Sequence, residues 1–352
     1  HGLALVLMLK NAQERIAVGN QPPSWVRSVQ FRTERKEKPV PVKDPPAAEK
    51  SRAARLKLME AGVEELELRL LDIARRGIAD TLAQGPDPFL AAAARLTDAK
   101  LPGPSGQFRR LAALGPEGTE AEVARALGDL YLFVRAWKQR GDLPPERREE
   151  LDRVAGVNVR KEDLLARPGL DDHWLVLGVT EGKDDKLRYR RVWLRGERSR
   201  RFALLLDYVF GERTPFERSW PLAAAFQGTV HYYPGSYPQR GIFPRPVPGG
   251  RPYDGLKGYP DFASLRENYR QALAANPWLY AYPCYLQAVR PVPEVGLVDT
   301  QGEVLSLPAD FTGFYHLLAV SGGKEIRLFG EFDGYELRPL SLLTEAGLVG
   351  LT

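Results

Sequence analysis

The feature that most narrows the fold is a change of periodicity near Asp171. From Ala47 to about residue 166, apolar residues recur at three to five positions. Leu56, Met59, Val63, Leu66, Leu70, Ile73 and Ile78 form one such run, and Val123, Leu127, Leu130, Tyr131, Val134 and Trp137 another. That spacing puts each set on one face of a helix, with charges elsewhere on the surface. Gly85-Pro86-Asp87-Pro88 stops the first helix, and a second covers about 89–99 and ends before Leu101-Pro102-Gly103-Pro104. A short third spans 108–114. Thr119 is the expected N-cap of the next, because Glu122 stands three residues on as a capping box requires. Pro144-Pro145-Glu146 starts another. Residues 47–168 are therefore predicted to be an all-α bundle.

Beyond Asp171 the pattern becomes that of strands. His173 to Val179, Leu187 to Leu194 and Phe202 to Leu206 read as a meander turning at Glu181-Gly182-Lys183 and Gly196-Glu197-Arg198-Ser199. Gly228 to Tyr233 and Tyr237 to Phe243 form a further pair across Pro234-Gly235-Ser236. One helix, roughly 261–275, ends at Asn276-Pro277. Residues 169–292 are expected to be a mixed antiparallel β domain with this one crossover helix. In 293–352, Gly296 to Asp299 faces Val304 to Leu307 across Thr300-Gln301-Gly302. Tyr315 to Val320 reads as a strand meeting Ile326 to Gly330 across Gly322-Gly323, and Asp333-Gly334 marks another hairpin. The closeness of these turns predicts a small all-β barrel or sandwich. The fold class is thus α+β: an N-terminal all-α bundle, an antiparallel β meander and a small C-terminal β barrel or sandwich.

A chain of 352 residues has ample length for several cores, and 43% hydrophobic with 27% charged residues is ordinary for a globular protein. No apolar run approaches the ~20 residues of a membrane span. The single cysteine, Cys284, precludes an internal disulfide and fits a reducing cytoplasm; set among aromatics in Tyr-Pro-Cys-Tyr-Leu, it reads as a buried inert thiol. No phosphate loop, dinucleotide fingerprint or nucleophile elbow is present, and there is no internal repeat. His173, His231 and His316 are isolated beside aromatics and read as structural. Asp171-Asp172-His173 reads as a turn before a strand rather than a metal site. No catalytic constellation emerges, and the chain reads as a non-enzymatic binding protein.

Charge is unevenly spread. Between Lys183 and Arg201 stand nine basic and three acidic residues, so this segment nets +6 against +5 for the whole chain. Alternation along the strand puts Arg188 and Arg190 on one face and Tyr189, Arg191 and Trp193 on the other, with Arg195 projecting beside Trp193. Arg188, Arg190, Arg191, Trp193 and Arg195 are the candidate contact residues. Cations beside aromatics can hold phosphates and stack on bases, can meet a protein partner, or can simply form a solvated sheet face. All three readings stay open, and no ribonucleoprotein or helix-turn-helix signature decides among them.

The chain opens on His1, followed by Leu3, Val6 and Leu7 at helical spacing. Spacing alone leaves two readings: an arbitrary cut before a core helix, or the last ligand of a zinc half-site. Residues 27–46 carry six cations and four prolines and read as an extended basic linker.

Several stretches together resemble the long bacterial SWIM zinc finger family. They are His1 to Leu7, Pro23-Ser24-Trp25-Val26, His173-Trp174-Leu175-Val176-Leu177-Gly178 and Val192-Trp193-Leu194-Arg195-Gly196-Glu197-Arg198. Leu318 to Gly323, Phe329 to Gly334 and Leu337 to Ser341 continue the likeness. The resemblance implies a zinc site of Cys-x-Cys and Cys-x-His in which His1 is the final ligand, all three cysteines preceding residue 1. The chain is accordingly expected to be truncated at that histidine, with 1–26 a remnant of the finger and its following helix. Zinc is then a cofactor of the full-length parent, and four ligands cannot be assembled from His1 alone. The family further implies an adaptor that contacts proteins, with a MoxR-type AAA ATPase or a von Willebrand A-domain (VWA) protein as expected partner; DNA is the alternative.

Overall fold

The helical part is built by the residues whose spacing announced it. The computed structural model describes residues 45–114, 120–184, 187–212, 214–249, 256–344 and 347–351. The chain divides into two units, His1–Arg55 and Leu56–Thr352, and the hydrophobic cores and both sheets belong to the second. Helix α1 covers Pro45–Arg76, and after a break at Gly77 helix α2 covers Ile78–Ala83. Helices α3 (Asp87–Asp98), α4 (Pro102–Leu114), α5 (Glu120–Lys138) and α6 (Pro145–Ala155) follow. Met59, Val63, Leu66, Leu70 and Ile73 are all buried, with Phe89, Phe108, Leu130, Phe133 and Trp137 against them. Burying each such side chain contributes roughly 1.5–3 kcal/mol relative to exposure.

Two details of the bundle differ from the sequence expectation. Helix α4 begins at Pro102, six residues earlier than predicted, because proline at the first position of a helix forfeits no hydrogen bond and presets φ. Tyr131 faces outward at 42% exposure while Phe133 takes its place in the core. Thr119, the expected N-cap, lies outside the described residues.

Helix α7 (Lys161–Leu165) leads into the first sheet. Its strands are β1 (Leu170–Asp184), β2 (Leu187–Gly196), β3 (Phe202–Phe210), β4 (Ala225–Tyr232), β5 (Arg240–Ile242) and β6 (Val247–Pro248). The order β1-β2-β3-β5-β4 closes on itself through antiparallel β1–β4 pairing, and β3–β5 pairs in parallel. The result is a closed five-stranded Greek-key barrel, the plan shared by OB-type barrels. Trp174, Val176, Val192, Leu194, Ala203, Leu205 and Phe226 fill its interior, and Trp174 Nε1 donates to the Gly228 carbonyl at 2.9 Å.

Helix α8 (Phe262–Ala275) starts at Asp261, whose carboxylate accepts from the Ser264 amide at 2.7 Å. The second sheet comprises β7 (Tyr282–Val292), β8 (Gly296–Asp299), β9 (Val304–Leu305), β10 (Ile326–Phe332), β11 (Leu337–Thr344) and β12 (Gly347–Gly350). Its order, β12-β11-β10-β7-β8-β9, is an open antiparallel ladder. The barrel therefore lies in the middle of the chain, not at its end. Strand β7, which sequence grouped with the preceding segment, sits at the centre of this sheet between β10 and β8.

Tyr315 to Val320 is not a strand. Phe314–Ser321 is helix α9, with Leu317 buried against the second sheet's core. A short apolar run cannot be assigned by periodicity alone, and the residue that decides it is Gly322. At φ 59° it forms a left-handed C-cap, so Gly322-Gly323 ends a helix instead of turning a hairpin. The Asp333-Gly334 hairpin forms as expected between β10 and β11, Asp333 Oδ1 accepting from the Tyr335 and Glu336 amides.

Barrel and second sheet pack face to face. Leu175, Leu177, Trp193 and Leu204 point outward from the barrel onto Tyr285, Phe329 and Leu340. Gly178 sits at the β-bulge of β1, where an added Cβ would lie 2.9 Å from Leu340 Cδ1; a larger residue would push the sheets apart. The bundle joins them through Glu150. This buried carboxylate accepts from Asn276 Nδ2 at 2.8 Å and the Ser236 amide at 2.9 Å, and pairs with Arg153. Burial lowers the Arg153 pKa to about 10, with the Arg240 cation acting the same way.

Candidate binding site on the barrel

The alternation read from sequence is correct, but the two faces it defines lead inward. Arg190 is 6% exposed and sits at the mouth of the barrel interior, its Nη2 bonded to Asp207 Oδ2 and to the Arg218 carbonyl, each at 2.6 Å. Trp220 Nε1 reaches the same carboxylate oxygen at 3.2 Å. Arg188 shares the Phe216 ring with Arg190, pairs with Glu181 at 3.0 Å and donates to the carbonyls of Glu212 and Thr214. On the opposite face Trp193 is fully buried. Its Nε1 and Arg191 Nη2 both donate to Glu331 Oε1, at 2.5 and 2.6 Å. Arg188, Arg190, Arg191 and Trp193 thus bind the molecule to itself. In barrels of this plan the outer face of the second and third strands is the usual ligand surface. Here the second sheet covers the part of it around Trp193 and Leu204.

Arg195, the fifth candidate, points elsewhere. Its guanidinium lies over the Phe202 ring at 4.3 Å and lines a cleft of 380 Å³ at the edge of the sheet–sheet contact. Arg200 and Arg201 enter this cleft from the β2–β3 turn, Ser236 to Gln239 from the β4–β5 loop, and Tyr259 and Tyr282 from the second sheet's side. Arg201 rests on Tyr232 at 4.9 Å. No acidic residue is among the described residues that line the cleft, and neither Arg200 nor Arg201 enters an ion pair among them. Tyr259 and Tyr282 share a 2.7 Å hydroxyl–hydroxyl bond, and burial pushes both phenols up, so both remain protonated donors.

The turn that carries Arg200 and Arg201 is fixed from below by Asp172. This buried carboxylate accepts the amides of His173, Arg198 and Ser199 at 2.8–3.1 Å. Burial by itself would raise its pKa, but these bonds outweigh burial and hold it below the usual carboxylate range. Asp171-Asp172-His173 therefore lies within β1 and not in a preceding turn, and Asp172 serves the β2–β3 turn. His173 Nδ1 lies 3.2 Å from Glu197. Among the described residues no three His, Cys, Asp or Glu side chains gather as a metal site requires. His1 and the 27–44 part of the basic linker lie outside the described residues. Cys284 is buried, its thiol directed at the Gly330 carbonyl, and burial raises its pKa.

Sequence reasoning singled out Arg195 of this cleft and missed Arg200, Arg201, Tyr237 and Gln239. Arg200 and Arg201 lie inside the basic segment but beyond the strand whose alternation was read. The β4–β5 loop carried no signal linking it to them.

With the α+β architecture in place, comparison with known proteins adds one finding. Residues 54–155 match the SWIM-associated four-helix bundle domain, a span running from within α1 to the end of α6. The match supports a SWIM-family protein. No curated protein and no solved structure is detectably similar. Among the described residues no helix is long and apolar enough to cross a membrane.

Proposed function

We propose that the chain is the bundle-and-barrel portion of a cytoplasmic, non-enzymatic SWIM adaptor. The observation that carries this reading is the match of residues 54–155 to the SWIM-associated bundle. In the full-length parent His1 supplies the fourth ligand of a zinc site whose cysteines precede it, and zinc there orders the finger next to the first helix. The bundle and the finger then present partners to each other, with a MoxR-type AAA ATPase or a VWA-domain protein as the partner. A pull-down from the native host with the full-length protein tests the partner; failure to retain either class overturns that part. Zinc analysis of the full-length protein and its His1→Ala variant tests the ligand, with loss of tight stoichiometric zinc expected in the variant.

Nucleic acid remains the second reading, favoured by the Greek-key barrel. Arg188, Arg190 and Arg191 already have internal partners, so Arg195 and the turn arginines beside it would carry this reading.

A further inference from the structure

Three features mark the cleft beside the β2–β3 turn. Arg200 holds φ at 56°, a left-handed conformation that a side-chain-bearing residue seldom adopts. The turn is closed by the Gly196 amide on the Arg201 carbonyl at 2.9 Å and the Arg200 amide on the Gly196 carbonyl at 3.1 Å, so the strain is held and the two adjacent guanidinium groups are presented together. Strain of this kind gathers at ligand sites. Next, Ser236 Oγ and Gln239 Nε2 are shielded from solvent without any hydrogen-bond partner, and both residues line the same cleft. A buried donor left without an acceptor is destabilising. Last, Arg200 and Arg201 enter no ion pair among the described residues and no acidic residue is among those that line the cleft, whereas Arg188, Arg190 and Arg191 are each neutralised.

We propose that this cleft binds a phosphorylated nucleoside. The phosphate is taken by the Arg200 and Arg201 guanidinium groups, whose planar forks match its oxygens. Gln239 and Ser236 rotate their unpartnered donors out of the cleft wall toward the phosphate. The ring of the nucleoside lies against Tyr237, where a π-face is tolerated whatever the base. A cavity of 380 Å³ is of the size that holds a mononucleotide and is too small for a folded partner. The shared chemistry has two sources, a free nucleotide or the phosphorylated end of a single strand. The inference is independent of the adaptor reading, because neither the bundle nor zinc takes part.

The test is calorimetric titration of the full chain with AMP, with inorganic phosphate and with a 5′-phosphorylated dT trinucleotide. AMP is expected to bind saturably and at least tenfold tighter than inorganic phosphate. The double substitution R200Q/R201Q is expected to weaken AMP at least tenfold, and Tyr237→Leu to narrow the gap between AMP and phosphate, each variant being checked for an unchanged thermal midpoint. If the trinucleotide binds more tightly than AMP, the site takes a strand end, and if less tightly, a free nucleotide; both rankings support the chemistry. Absent AMP binding to the native chain, AMP no tighter than phosphate, or undiminished affinity in a folded R200Q/R201Q variant would overturn it.

Discussion

Two groups of arginines leave the same strand and meet opposite fates. Arg188, Arg190 and Arg191, in the body of β2, end on Glu181, Asp207 and Glu331. Arg195, at the end of β2, and Arg200 and Arg201, in the turn beyond it, end in a cleft among aromatic rings. The difference is one of position in the barrel. Side chains in the middle of β2 have the barrel mouth on one side and the second sheet on the other, and a cation held there must be paired or carry a large desolvation cost. Arg200 and Arg201, in the turn past the last ladder pair, lie beyond both. Local charge density in a sequence therefore says little about surface charge until the strand's two faces have owners.

The largest expected effect breaks the comparison on the covered side. Trp193→Ala removes a fully buried indole from the contact between barrel and second sheet and takes a donor from Glu331. Loss of about 3–5 kcal/mol is expected, read by urea unfolding. If the loss is under about 1 kcal/mol, the second sheet does not seal that face and the outer surface of β2 is open to ligands after all.

Asp207→Ala comes next. It leaves Arg190 at 6% exposure without its carboxylate and Trp220 Nε1 without its acceptor. The expected loss is about 2–3 kcal/mol, less than for a fully buried pair because Asp207 is 35% exposed.

Asp172 sharpens the other side, since it fixes the turn that carries Arg200 and Arg201. Its folded-state pKa is depressed below the unfolded value. The stability it contributes is therefore fully present above the unfolded pKa of about 3.9 and is lost as pH falls through the lower folded value. Asp172→Asn should cost about 2 kcal/mol at neutral pH, and the gap to the native chain should shrink below about pH 4. Unfolding curves at pH 7 and pH 3 check this. A gap that widens in acid would show that the carboxylate is not what holds the turn.

These cases also mark how far the sequence could be read. The helical stripe Met59, Val63, Leu66, Leu70, Ile73 was legible because a helix face is defined by neighbours three and four residues away. The split of β2 into two faces was legible for the same kind of reason. What owns each face was not: Glu331 lies 140 residues beyond Arg191, and nothing local announces it. Barrel closure depends on β1–β4 and parallel β3–β5 pairing, which leave no local mark either. Helix α9 was misread because a six-residue run, apolar but for His316, satisfies both periods and only the backbone at Gly322 separates them. The cleft needed all of this at once, since its walls come from a turn, a distant loop and a second sheet.

The smallest expected effects decide whether the two arginine groups are distinct at all. Arg188→Gln gives up a half-exposed pair with Glu181 and two carbonyl contacts, for about 1 kcal/mol or less. R200Q/R201Q should stay within about 0.5 kcal/mol of the native chain, because glutamine at 200 keeps the same backbone strain and neither guanidinium has a carboxylate to lose. Chemical denaturation resolves the two. Should the double variant lose more than Arg188→Gln, the stacking of Arg201 on Tyr232 at 4.9 Å is structural. The turn arginines would then belong with those of the strand, held by the fold for its own stability.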